Sequence, residues 1–185
     1  RAMGKLHYAG QRYYRFSNGQ YFLKAGAGSP ENFLAYRDFD RTFSNGKTDY
    51  TKTWEAHTAD WQNEDPSWQG GKGKGIIGAI NYLSSMGMNS VYLIVLTLHG
   101  DGNDVWPFTG PDERYRFDCS KLDQWRIVFE HMNKKGIHIH FFLSETENEQ
   151  LFETDEGLQG SNTFALSRKL FYREMIARFA DLPGI

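Results

Sequence analysis

Two strand-like runs rich in aliphatic and aromatic residues, Ser90 to Leu98 and Ile137 to Leu143, constrain this chain most. Ser90 to Leu98 does not alternate apolar with polar residues, so it predicts a strand covered on both faces, as in a parallel sheet, and Ile137 to Leu143 is expected to be the next strand. Each follows a helical pattern closed by glycine. In Lys74 to Leu83, positions 76, 79, 80 and 83 are apolar and Gly87 stops the run. In Ser120 to Lys135, Leu122, Trp125, Val128, Phe129 and Met132 share one face, with Ser120 as the expected cap and Gly136 as the stop. A third helix is expected over roughly 164–180, burying Leu166, Leu170, Tyr172, Met175, Ile176 and Phe179.

Upstream, Tyr-rich Leu6 to Phe16 and Gln20 to Lys24 flank Asn18-Gly19, which predicts two β segments joined by a turn. The second leads through Ala25-Gly26-Ala27-Gly28-Ser29-Pro30 toward Glu31 and Asn32, a strand exit that Ser29 is placed to cap, with a helix-like Phe33 to Phe39 after it. Phe43 to Gly73 is a long polar connection with four Gly and three Trp. Such a loop is functional or well packed, and Trp54, Trp61 and Trp68 are read as its packing or as a stacking rim.

The order strand, helix, strand, helix, strand, helix specifies right-handed crossovers and a parallel α/β sheet. Two architectures fit. A doubly wound nucleotide-binding sheet needs a glycine-rich phosphate loop, but Gly26-Ala27-Gly28-Ser29-Pro30-Glu31 has a carboxylate where a third glycine belongs. A barrel takes its ligand contacts from the loops after each strand, where this chain concentrates its unusual residues. The expected fold is therefore a partial TIM (β/α)8 barrel of about three βα units over 20–185, preceded by an N-terminal β segment over 1–19.

A formal net charge of -2, with both signs interspersed, gives no electrostatic reason to expect nucleic acid or anionic membrane as a partner. No apolar run approaches the roughly 20 residues that span a bilayer. The chain opens at Arg1 without a charged-then-apolar leader, so a signal peptide is expected to be absent or already removed. Cys119 is the one cysteine, expected to be a buried, inert thiol beside Asp118.

Candidate ligand contacts fall after the three strands. After the first, Glu31 and Asn32 bind substrate or cap the next turn. After the second, His99, Asp101, Asp104 and Trp106 combine acceptors for sugar hydroxyls with an indole for a sugar face, and Gly100 and Gly102 allow close approach. After the third, Glu145 and Glu147 stand two apart, with Asn148 next. The Asp101 segment does not make a calcium loop, since Val105 takes a ligand position and no glutamate stands at the twelfth. His138 and His140 share a strand face, are read as structural, and lack an evident third ligand. No metal and no cofactor is expected.

Four stretches together resemble one family: Tyr21 to Asn32, Gly70 to Ala79 (GGKGKGIIGA), Gly100 to Pro107 (GDGNDVWP) and Glu145 to Asn148 (ETEN). They are similar to the barrel domain of bacterial, usually secreted, glycoside-hydrolase-like proteins, which often carry an accessory β-sandwich and a collagen-binding module. The resemblance spans Gly4 to Ile185. It implies a carbohydrate partner, an extracellular or periplasmic location, and a glycoside hydrolase acting on polysaccharide or oligosaccharide. It also implies an acid/base glutamate after the fourth barrel strand and a nucleophile after the seventh, both beyond Ile185. The alternative is a non-catalytic carbohydrate-binding or structural α/β domain. Three strands alone would leave open sheet edges, so self-association is expected as well.

Overall fold

The computed structural model describes residues 4–10, 12–28, 30–100, 102–148, 150–153 and 165–185. These form a mixed α/β structure with two three-stranded sheets and four α-helices. No closed barrel occurs among them.

The first sheet is an antiparallel meander of β1 (Leu6–Tyr8), β2 (Tyr14–Phe16) and β3 (Tyr21–Phe22). Its β2–β3 turn is the expected one, with Gly19 at φ +88° and Phe16 N–H donating to the Gln20 carbonyl at 2.8 Å. The stretch Leu6 to Phe16 makes two strands rather than one, because the chain reverses around Gly10 at φ +72°.

The second sheet is parallel, in the order β4 (Gly26–Ala27), β5 (Ser90–Ile94) and β6 (His138–Phe142). Gly26 is required where β4 meets β5, since a Cβ there would lie 1.7 Å from the Ser90 carbonyl oxygen. Asn89 fastens the start of this sheet: its side chain accepts from Ala25 N–H at 2.8 Å and donates to the Leu23 carbonyl at 2.9 Å. Leu23 to Ala25 are therefore held by side-chain bonds and do not continue either strand. Beyond β6, Ile139 N–H donates to the Gly184 carbonyl at 2.6 Å.

Helices α1 (Lys74–Ser85), α2 (Cys119–Lys134) and α4 (Leu166–Phe179) cover one face of the parallel sheet; α3 (Gln150–Glu153) is a single turn. Phe129 of α2 and Phe179 of α4 meet Phe141 of β6 at ring distances of 5.8 and 5.9 Å. On α1, Ile76, Ile77 and Ile80 enter the same core as Val91 and Leu93. Burial of these aliphatic and aromatic side chains drives the layer packing, at roughly 25 cal/mol per Å² removed from water. Tyr92, His140 and Phe142 lie on the opposite face, with Tyr92 5.7 Å from His140 and 4.7 Å from Phe142 between ring centres.

The long connection is packed, as its tryptophans suggested. A 3₁₀ turn over Glu55–Asp60 lies against α1, and Trp68 is buried and stacks on Phe39 at 5.5 Å. Four local expectations need correction. Asp118, rather than Ser120, caps α2, accepting from Lys121 N–H at 3.2 Å. Residues 33–39 form turns instead of a helix. Cys119 is exposed, because it occupies the first turn of α2, where Arg178 donates to its sulfur at 3.4 Å. On α4, Leu166 and Ile176 face outward, 53% and 58% exposed. Ser29 lies outside the described residues.

Candidate functional site at the strand carboxyl ends

Parallel pairing brings the exits of β4, β5 and β6 to one end of the sheet. Backbone bonds fix their relative heights: Ile94 N–H donates to the Glu31 carbonyl at 2.9 Å, and Val95 N–H to the Phe142 carbonyl at 3.0 Å.

The loop after β5 folds back on itself. Thr97 N–H donates to the Val105 carbonyl at 3.0 Å, and the Thr97 hydroxyl accepts from Val105 N–H at 3.1 Å. His99 and Asn103 take left-handed backbone conformations at φ +64° and +53°, and the Asn103 side chain accepts from His99 N–H at 2.6 Å. This closure buries Asp104 and Trp106, each 1% exposed.

A polar relay links that loop to its neighbours. Asn32 donates to Asp104 Oδ2 at 3.0 Å and accepts from Lys52 Nζ at 2.6 Å, while Lys52 Nζ also donates to the Tyr50 carbonyl at 2.9 Å. Burial pushes the Asp104 carboxyl up, against the pull of Asn32 and the Lys52 charge. Burial likewise lowers Lys52, and Asp104 opposes it. Each group thus offsets part of the other's desolvation.

At the β6 exit, Asn148 is fully buried. Its amide donates to the Leu96 carbonyl at 2.6 Å, and its oxygen accepts from Glu145 N–H at 3.2 Å. The Glu145 carboxyl rests on Gly100, where a Cβ would stand 2.0 Å from Oε1. Glu31 and Glu145 are both near enough to Tyr92 for their charges to add to burial in raising its phenol. Both carboxyl residues and Tyr92 are half-buried.

The nine candidate contacts therefore separate. Glu31 and Glu145 stand at the exits of β4 and β6, the strands that flank β5 and its Tyr92. His99 and Glu147 are exposed on their loops. Asn32, Asp104 and Asn148 support the loops from within. Trp106 presents no open ring face: it packs on Phe43 at 5.0 Å and lies under the Lys121 ammonium at 4.8 Å. Asp101 lies outside the described residues. Sequence reasoning missed Tyr92, whose signal was one hydroxyl-bearing ring inside an aliphatic run, and Lys52, which no motif marks. Among the described residues no group of three or more His, Cys, Asp or Glu side chains is arranged to hold a metal.

Comparison with protein-family models, with curated proteins and with solved structures found no match.

Proposed function

We propose that this chain forms the first βα units of a (β/α)8-type barrel in a glycoside-hydrolase-like protein, and that the carboxyl ends of its strands bind oligo- or polysaccharide. The observation that carries the reading is that parallel pairing brings half-buried Glu31 and Glu145, from the exits of β4 and β6, to either side of β5, which carries half-buried Tyr92. Carboxylates accept hydrogen bonds from sugar hydroxyls, and a phenol ring covers the C–H face of a pyranose. Few polar groups against an aromatic wall is the usual make-up of a small-molecule site. The one-sided helix layer adds support, since barrel helices lie outside the sheet.

Glu31 and Glu145 are assigned to binding, with no catalytic residue assigned. Glycosidases generally require two carboxyls flanking the scissile bond, roughly 5–10 Å apart. The family resemblance puts that pair after later strands. An extracellular or periplasmic setting goes with a polysaccharide partner, and self-association goes with the open sheet edges a partial barrel leaves.

The test is titration of the chain with neutral and acidic oligosaccharides, followed by calorimetry, with Glu145→Gln and Tyr92→Ala alongside. Saturable binding weakened by both variants is expected, with no turnover of chromogenic glycosides. Binding indifferent to both substitutions would overturn the site. Turnover abolished in a Glu145→Gln, Glu147→Gln double variant would make these glutamates catalytic.

A further inference from the structure

The tetrapeptide Phe-Ser-Asn-Gly occurs twice, as Phe16 to Gly19 and as Phe43 to Gly46. Asn followed by Gly is a dipeptide suited to attack on itself, because glycine carries no side chain to shield its nitrogen and its backbone reaches the conformations that ring closure needs. Identical residues give the two sites a common chemical start, and the fold then separates them. Asn18, Gly19, Asn45 and Gly46 are all exposed, so access of water does not distinguish one pair from the other. Hydrogen bonding does.

Asn18-Gly19 is locked inside the β2–β3 turn. Gly19 N–H donates to the Phe16 carbonyl at 2.8 Å, so the nitrogen that would attack is tied down and its proton is held. The Asn18 side chain is engaged at both ends: its oxygen accepts from Gln20 N–H at 3.0 Å, and its nitrogen donates to Gln20 Oε1 at 3.0 Å. Ring closure would give up all three bonds, and folding therefore opposes it. Asn45-Gly46 has none of these restraints. The Ser44 hydroxyl donates to the Thr48 carbonyl at 3.2 Å and closes a small loop with 45–47 at its tip. Among the described residues the Asn45 side chain and the Gly46 N–H make no hydrogen bond. There is also room, since a Cβ on Gly46 would meet nothing nearer than Asn103 Cβ at 3.6 Å.

From this contrast we propose that Asn45 is a self-modification site, which converts to aspartate and isoaspartate in the folded protein while Asn18 is protected. The Gly46 nitrogen, once base has taken its proton, bonds to Asn45 Cγ. The Cγ–Nδ2 bond breaks, and ammonia leaves after taking a proton from solvent. Water then opens the resulting succinimide. Cleavage between the ring nitrogen and Cγ gives aspartate, and cleavage between that nitrogen and the main-chain carbonyl carbon gives isoaspartate, with the chain now running through Cγ. Either product puts a carboxylate on the segment that lies beside Asn103 and Gly102 of the loop after β5, and isoaspartate lengthens the backbone there by one methylene. The chemistry is independent of the carbohydrate reading.

The intact chain is aged at mildly alkaline pH, folded and in guanidinium chloride, and then digested with trypsin. Cleavage after Arg15, Lys24, Arg41 and Lys47 releases Asn18 within Phe16 to Lys24 and Asn45 within Thr42 to Lys47. Mass spectrometry counts the loss of each amide, and chromatographic retention separates isoaspartate from aspartate. The denatured chain supplies the intrinsic rate of each site. Folding is expected to slow Asn18 at least fivefold and Asn45 less than twofold. The Asn45 rate in the folded chain should rise with pH and fall at least fivefold in Gly46→Ala, whose methyl the loop accommodates. Equal rates at the two sites in the folded chain, protection of Asn45 as strong as that of Asn18, or an Asn45 rate unmoved by Gly46→Ala would overturn the proposal.

Discussion

Lys52 donates to Asn32 at 2.6 Å, and through that amide it is connected to the buried carboxyl of Asp104. Removing one member leaves the others desolvated without full compensation. Asp104→Ala is therefore expected to cost about 2–4 kcal/mol, read as a lower urea midpoint at unchanged slope. Lys52→Met should cost less, because Lys52 is only half-buried. Equal stability of Asp104→Ala and wild type would show that the relay contributes nothing.

Gly78 faces the 3₁₀ turn so closely that a Cβ would lie 1.8 Å from the His57 carbonyl oxygen. Helix propensity favours Gly78→Ala by about 1 kcal/mol, whereas forcing the backbones apart costs typically 1–3 kcal/mol or more. Steric cost is expected to win, so thermal unfolding of this variant should begin below wild type. A higher midpoint would mean the turn shifts freely.

His131 is buried and its Nε2–H donates to the Asn81 side-chain oxygen at 2.9 Å, and burial lowers its pKa to about 4 despite the nearby Asp65. Protonation at its ordinary value of 6.5 is thus favoured only in the unfolded chain. Stability from this group is complete above pH 6.5 and is lost as pH falls toward 4, by about 3 kcal/mol in all. Stability curves for wild type and His131→Gln should therefore converge as acid is added. Parallel curves over that window would contradict the assignment.

Much of this architecture is legible in the residues. The runs at 90–98 and 137–143, each preceded by a helix ending at a left-handed glycine, Gly87 or Gly136, announce β5, β6, α1 and α2 because periodicity and stop signals agree. What escapes is set by contacts distant in sequence. Trp106 and Asp104 sit in a glycine-rich stretch that suggests an open loop, yet Thr97 closes it through Val105 and draws both inside. The break after Phe22 depends on Asn89, 66 positions from the Leu23 carbonyl it binds. Tyr92 becomes a candidate only when pairing sets its strand between those carrying Glu31 and Glu145, and spacing along one strand cannot show that.

Gly100→Ala separates support from function. The added methyl meets the end of the Glu145 side chain, which can swing aside, so stability should change by less than about 1 kcal/mol. If the proposed carbohydrate site is right, affinity should nonetheless fall, because the carboxyl leaves its place against Gly100. Asn148→Ala should do both. It strips the Leu96 carbonyl of its donor and frees the Glu145 backbone, lowering stability by about 1–3 kcal/mol together with affinity. Paired denaturation and binding curves check both variants.

The proposed carbohydrate site is tested most directly by assigning the Tyr92 ring resonances and titrating the chain with the tightest oligosaccharide of the panel. The account predicts that Tyr92 shifts saturably with the same affinity calorimetry reports, and that Glu145→Gln weakens both readouts together. Saturable binding that leaves the Tyr92 ring and the Glu31 and Glu145 amides unmoved would contradict it.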